Sequence, residues 1–243
     1  MLELLSTVPA DASPYEKVKA AYEFVIITAE YDMESENSQN IRGVFLDGRA
    51  GGGGYQKAFQ YLMDQMGIWC RPVDGFDPDG NRCGWNVVCI DGVYTFVDTA
   101  TADHNAEVEG KYVPAVGINY DYLCFSADQL PQMKLVPDEA WAIPECGDTA
   151  YDFYRMNGCY FERYSPVTVS MRLWDAVEHG RRQVYFKFSE QDDYLKAAAD
   201  LFPTDEKQEN LINEPLRYNM EVRGLSEVHY IYNMDERLRT ISG

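Results

Sequence analysis

The sequence has no long apolar run and few basic residues. No stretch reaches the roughly 18–20 apolar residues that a helix needs to cross a bilayer, so membrane insertion is not expected. Lysine and arginine number 21 against 40 aspartates and glutamates, which gives a formal net charge of −19. A chain this acidic repels phosphate backbones and is not attracted to an anionic membrane surface. The composition therefore argues against nucleic-acid binding.

The sequence also has no Cys-x-x-Cys pair. Its six cysteines are scattered, which argues against a zinc site and against a dense disulfide framework. One isolated disulfide is left open. No metal and no cofactor is expected.

Four consecutive glycines, Gly51–Gly54, lead directly into a helical run. Glycine is less favourable than alanine in a helix by about 0.5–1 kcal/mol, so this stretch predicts a flexible loop before a helix N-terminus. Such an N-terminus can hold an anion or acidify a thiol, but none of the four positions carries a thiol or hydroxyl. The helix itself is indicated by apolar residues at three- and four-residue spacing: Tyr55, Phe59, Leu62, Met63 and Met66.

After residue 67 the hydrophobic pattern changes to that of strands. Three strands are expected, at Trp69–Val73, Cys83–Ile90 and Val93–Asp98. Asp91–Gly92 lies between the last two and predicts a hairpin turn.

The final part of the chain has a pattern of its own. A helix over Ser165–Gly180, a strand over Gln183–Phe188 and a helix from Ser189 to Phe202 are expected. Two further strand candidates are Leu216–Val222 and Val228–Asn233. This order predicts a small α/β extension over residues 151–243, following a core over residues 1–150.

The glycine stretch and the strands after it resemble bacterial transglutaminase-like domains of the papain-like superfamily. In that family the loop reads approximately Ala-Val-Cys-Glu-Gly-Tyr-Ala, and its cysteine opens the helix. The family then has His-Ala-Trp-Asn-x-Val, Asp-Gly and a strand that ends in Asp. The corresponding segments here are Gly48-Arg49-Ala50, Gly54-Tyr55, Lys57-Ala58-Phe59-Gln60-Tyr61-Leu62 with Gly67-Ile68, then Cys83-Gly84-Trp85-Asn86-Val87-Val88, Asp91-Gly92 and Phe96-Val97-Asp98.

The resemblance implies a fold and a degenerate catalytic triad. The implied fold is α+β, with helices packed on an antiparallel sheet. The family's cysteine falls on Gly52 and its histidine on Cys83, while its aspartate is retained as Asp98. Gly52 cannot attack a carboxamide, and a thiol with an ordinary pKa of about 8.5 cannot replace imidazole as the base. We expect Asp98 to cap the segment that follows it instead.

The predicted function is therefore a non-catalytic domain that binds a polypeptide or cell-wall-type ligand in the former active-site cleft. The predicted ligand-binding residues are Tyr55, Trp85, Asn86 and Asp98, with the two aromatic rings partly exposed to the groove. The expected partner is a protein, a peptide or a glycan. One alternative is a thiol hydrolase or acyltransferase that uses Cys83 with a rewired base such as His104. A second alternative is a structural spacer in a larger surface protein.

The location of the protein is predicted from the resemblance and the first residues. Met1–Leu5 is too short and too acidic for a signal peptide, so we expect either a cytoplasmic protein or a chain whose leader has been removed. Bacterial members of the family are frequently exported, which favours an extracellular or cell-surface location. The oligomeric state is not predicted.

Overall fold

A computed structural model describes residues 7–77, 79–103, 106–108, 111–113, 118–140, 142–204, 210–226 and 232–243, without the side chains of residues 106–108 and 111–113. The chain divides into two compact units, residues 1–153 and 154–243. Within the described ranges, no helix is long and apolar enough to cross a membrane.

The first unit combines two long helices with short strands and turns. Its helices are α1 (Pro14–Thr28), α2 (Gly52–Gln65), α3 (Thr99–Ala102) and α4 (Leu130–Met133), with a π-helical segment at Gly43–Asp47 and 3-10 turns at Tyr120–Tyr122 and Ala127–Gln129. Its strands are β1 (Glu30–Tyr31), β2 (Arg49–Ala50), β3 (Cys70–Phe76), β4 (Arg82–Ile90), β5 (Val93–Val97), β6 (Ala106–Val108), β7 (Lys111–Val113), β8 (Leu123–Phe125) and β9 (Val136–Pro137).

Five of these strands form one sheet in the order β8-β5-β4-β3-β9, and every neighbouring pair is antiparallel. The predicted turn between β4 and β5 is present. Asp91 and Gly92 have φ angles of 50° and 87°. Positive φ angles at both central residues are typical of a favoured type of two-residue hairpin turn. The α+β class predicted from the sequence, with helices packed on an antiparallel sheet, is confirmed.

Helix α1 begins with a capping box. The Glu16 backbone N–H donates to Ser13 Oγ at 3.2 Å, and the Ser13 backbone N–H donates to the Glu16 carboxylate at 2.7 Å. Pro14 occupies the first turn, where it removes no helical hydrogen bond. One face of the helix is buried in the core of the first unit and carries Val18, Tyr22 and Val25.

The second unit has a core of its own. Helix α5 (Phe153–Met156) lies at the division between the units in the sequence. It is followed by β10 (Tyr160–Phe161), α6 (Pro166–Glu178), β11 (Tyr185–Phe188), α7 (Gln191–Leu201), α8 (Asn213–Arg223), β12 (Asn233–Asp235) and β13 (Thr240–Ser242). The strands form a mixed sheet in the order β10-β11-β13-β12. Its core cluster is Val169, Leu173, Phe186, Phe188, Tyr194, Ala197, Leu201, Ile212 and Ile241.

The strand predicted at Leu216–Val222 is wrong, because these residues belong to helix α8. Apolar and polar residues alternate there, which imitates a strand. Pro215 fits the first turn of a helix, and Gly224 ends it with a φ of 64°. The helix leaves Tyr218 and Val222 exposed at the surface. The other strand candidate, Val228–Asn233, lies outside the described residues except at its end, where Asn233 begins β12.

Candidate functional site

Helix α2 begins at the position predicted for the lost nucleophile. Gly51 is extended and precedes the helix, and Gly52 is the first helical residue. The backbone N–H groups of Gly51 and Gly54 both donate to the Ser38 carbonyl oxygen, at 2.9 and 3.1 Å. Two of the donors that an anion could have used are therefore occupied by the chain itself.

Space for a side chain differs sharply along the glycine stretch. A β-carbon at Gly54 would lie 2.6 Å from the Ser38 carbonyl oxygen and 2.8 Å from Ala50 Cβ, which is too close for ordinary contact. A β-carbon at Gly51 would lie 2.5 Å from Met33 Sδ. At Gly52 it would meet one atom within 4 Å, Ala100 Cβ at 4.0 Å. The structure therefore has room for a side chain at Gly52, the residue predicted to correspond to the family's cysteine.

Asp98 has the capping role that was expected for it. It precedes α3 and is 2% exposed. Its carboxylate accepts hydrogen bonds from the Thr101 backbone N–H at 2.9 Å and from Thr101 Oγ1 at 2.7 Å. The carboxylate thus stabilises the N-terminus of α3.

Cys83 is half-buried near the start of β4. Burial, followed by the negative charges of Asp98, Asp77 and Asp74, raises the pKa of its thiol to about 12. The thiol is therefore protonated at neutral pH, which is the opposite of what a nucleophile or a base requires.

The three positions of the predicted triad lie in one region of the first unit. Strands β4 and β5 are neighbours, and their register pairs Asn86 with Val97, so the start of β4 lies beside the end of β5. Asp98 is close enough to Cys83 to act on its pKa. Ala100, two residues after Asp98, lies next to Gly52. This proximity is a property of the fold, and a role for these residues in binding stays a prediction.

The expectation that Trp85 presents part of its ring to the groove is wrong. Trp85 and Asn86 are neighbours in β4, so their side chains point to opposite faces of the sheet. Asn86 faces α2, where its Nδ2 donates to the Gln56 carbonyl oxygen at 3.2 Å. Trp85 is 1% exposed and packs edge-on against Phe96, with ring centroids 6.3 Å apart.

Tyr55 is also buried, contrary to the expectation of a partly exposed ring. Its exposure is 0%, and its hydroxyl lies 2.7 Å from the Ala29 carbonyl oxygen and within hydrogen-bond distance of the Asp103 carboxylate. Burial, and next the hydrogen bond with Asp103, raise the pKa of the Tyr55 hydroxyl. The predicted groove aromatics are core residues: Trp85 packs on the face of the sheet opposite Asn86, and Tyr55 contacts the segment after α1.

Gln56 is a central residue of this region that the sequence analysis did not identify. It is buried, and its Nε2 donates to the carbonyl oxygens of Val73 at 3.0 Å and Trp85 at 2.8 Å. The side chain therefore joins α2 to β3 and β4 at once. The sequence feature that could have identified Gln56 is its position one helical turn before Phe59, on the buried side of α2. His104, the alternative base, lies outside the described residues.

No protein-family profile matches the sequence, and no curated protein matches it. Solved structures that are similar in part include three at low sequence identity. A structure described as a TGase has 19% identity and a TM-score of 0.37, covering 46% of this chain and 34% of its own. A Cytophaga hutchinsonii protein described as a candidate cysteine protease has 16% identity and a TM-score of 0.37, covering 48% of this chain and 38% of its own.

The third structure is menin, described with its binding site for the Mixed Lineage Leukemia (MLL) protein. It has 14% identity and a TM-score of 0.31, covering 92% of this chain and 49% of its own. The chain thus spans between about a third and a half of the length of these proteins. Likeness at this level carries no argument about activity or partners.

Proposed function

We propose that the first unit is a transglutaminase-like domain that performs no covalent chemistry and acts as a structural module of a larger surface protein. The observation that carries the proposal is the absence of a side chain at Gly52, where the helix opens beside α3 and still has room for one. Acyl transfer through a thiol needs a nucleophile, a base and a group that orients the base. Gly52 supplies no nucleophile and Cys83 no imidazole base, so Asp98 has no base to orient.

The residues around the former site support this proposal because each has a packing role. Asp98 caps α3, and Asn86 and Gln56 connect α2 to the sheet. Tyr55 connects α2 to the segment after α1. A structural module needs these buried contacts, whereas a binding cleft needs exposed groups. The structural role therefore comes ahead of ligand binding, which the sequence alone had favoured.

The magnitude of the expected loss is large. Removing triad members leaves only the rate supplied by binding and backbone dipoles, a loss of several orders of magnitude. We expect the purified protein to transfer no fluorescent primary amine to a glutamine-containing protein. Amine transfer that disappears on Cys83→Ser would contradict the proposal and favour the thiol-enzyme alternative.

A restoration experiment tests whether the fold still matches its family. The double variant Gly52→Cys/Cys83→His places a thiol at the start of α2 and an imidazole on β4. We expect the new thiol to be alkylated with an apparent pKa below its ordinary value of about 8.5, because a helix N-terminus and a nearby imidazolium both favour thiolate. The matched control is Gly52→Cys/Cys83→Ser, which lacks the imidazole. Equal thiol pKa values in the two variants would show that positions 52 and 83 do not face each other.

Ligand binding is tested separately. The protein is titrated with extended peptides and with cell-wall glycan fragments, and amide chemical shifts are recorded. The structural proposal predicts no saturable shifts in residues 51–56 or 83–100. Saturable shifts there would restore the binding function and overturn the structural one.

A further inference from the structure

Helix α6 of the second unit is apolar on two faces. One face, formed by Val169, Leu173 and Ala176, is buried in the core of the unit. A second series at helical spacing, Val167, Met171 and Trp174, lies on another face. Val167 is 67% exposed and Met171 is 66% exposed. A helix that needs only a core-facing stripe has no structural reason for this second one.

The second apolar face continues onto α8. The rings of Trp174 and Tyr218 are in contact, with centroids 5.3 Å apart. Val222, one turn beyond Tyr218, is 66% exposed. Two adjoining surface pockets of about 650 and 680 Å³ lie here and share Ser170, Trp174 and Leu211. Together they form a groove between α6 and α8. Met171 and Tyr218 are exposed and Trp174 is half-buried. Trp, Tyr and Met are residues that interface cores favour, and a continuous patch of them marks an interaction site.

The charge around the groove is negative. It is lined by one guanidinium, that of Arg217, and by four carboxylates, those of Asp175, Glu178, Asp200 and Glu214. Arg217 lies 3.7 Å from Glu214. Asp175 is paired with Arg181, and its Oδ1 lies 3.0 Å from His179 Nδ1. Asp200 accepts a hydrogen bond from Tyr164. The carboxylates still outnumber the guanidinium groups of Arg217 and Arg181.

We propose that this groove between α6 and α8 binds an amphipathic helical segment of a partner protein whose apolar face is flanked by lysine or arginine. The apolar face of that segment would cover Val167, Met171 and Trp174, and its cations would meet the carboxylates of the rim. A second copy of this chain does not fit, because it would bring the same carboxylates against each other and carries a net charge of −19. The inference is independent of the function proposed for the first unit.

The test is a selection against the full chain with a displayed library of helical peptides. The peptides are about 14 residues, or ~21 Å, long, close to the 13 residues of α6. Leucine is fixed at helical spacing, and the flanking positions are drawn from Lys, Glu, Ser and Ala. We expect binders to be recovered with Lys over Glu at the flanking positions by about tenfold, since several exposed ion pairs contribute a few-fold each.

Variants define the site. Met171→Ser should reduce binding of the selected peptides by about tenfold, and Glu178→Lys should reverse part of the lysine preference. Leu46→Ser is the matched control, because Leu46 is an apolar residue of the first unit that is 74% exposed, and it should leave binding unchanged. Recovery of no binders, preference for Glu, or binding that Met171→Ser leaves unchanged would overturn the proposal. So would a dimer in sedimentation that Met171→Ser dissociates, since the occupant would then be a second copy.

Discussion

The packing of the glycine stretch predicts opposite effects for the same substitution two residues apart. Gly52 and Gly54 are both in the first turn of α2, and neither has a positive φ. Alanine is intrinsically better in a helix than glycine, chiefly because it restricts the unfolded chain. The two positions differ only in what a β-carbon meets.

At Gly52 the β-carbon has ordinary contact, 4.0 Å from Ala100 Cβ. Gly52→Ala should therefore raise the free energy of unfolding by about 0.4–1 kcal/mol. At Gly54 the β-carbon would lie 2.6 Å from the Ser38 carbonyl oxygen and 3.1 Å from the Asn40 carbonyl oxygen, so backbone must move. Overpacking of this kind costs about 1–3 kcal/mol, and it also disturbs the hydrogen bond from Gly54 N to Ser38 O.

The assay is thermal unfolding followed by tryptophan emission in a Trp174→Phe background, where the three remaining tryptophans all fall within the sequence range 1–153 of the first unit. For a unit of this size each kcal/mol shifts Tm by about 2–4 °C. Gly52→Ala should therefore raise Tm by about 1–4 °C, and Gly54→Ala should lower it by about 2–12 °C. Equal Tm values for the two variants would refute the packing of residues 38–40 against the start of α2.

Three further predictions concern the same region. The pKa of the Cys83 thiol is raised to about 12, so at pH 8 this thiol should be alkylated roughly 10³-fold more slowly than a free thiol. The alkylation rate should still be rising at pH 10, and a rate that levels off below pH 8 would contradict this prediction. Asp98→Asn removes a charge that raises that pKa, so alkylation of Cys83 should become faster, and a rate that does not change would show that Asp98 does not act on the thiol. Gln56→Leu removes two buried hydrogen bonds, to the carbonyl oxygens of Val73 and Trp85, and should cost about 1–3 kcal/mol by thermal unfolding at about 0.5–1.5 kcal/mol each, whereas Gln60→Leu, which loses only a 3.5 Å contact to Cys70 O, should cost far less.

Local features of this protein could be predicted from the sequence because neighbouring residues determine them. The hairpin at Asp91–Gly92 follows from two residues that tolerate positive φ. The presence of α2 follows from a periodic apolar run, although Gly52–Gly54, predicted as a loop, form its first turn. The capping role of Asp98 follows from a carboxylate at the end of a strand. In each case the interaction spans only a few residues of the chain.

Long-range packing decided what the sequence could not. Trp85 and Tyr55 are suited equally to a groove and to a core, and only their contacts with distant residues, Trp85 with Phe96 and Tyr55 with Ala29, show that both are buried. Gln56 acquires its role from two carbonyl oxygens on strands 17 and 29 residues away. Apolar and polar residues alternate over Leu216–Val222 as they do in a strand, yet the segment is helical. A helix forms its hydrogen bonds within the segment, whereas a strand needs a partner from a distant part of the chain. The free energy of these choices lies in contacts between distant residues, and only the folded chain brings those residues together.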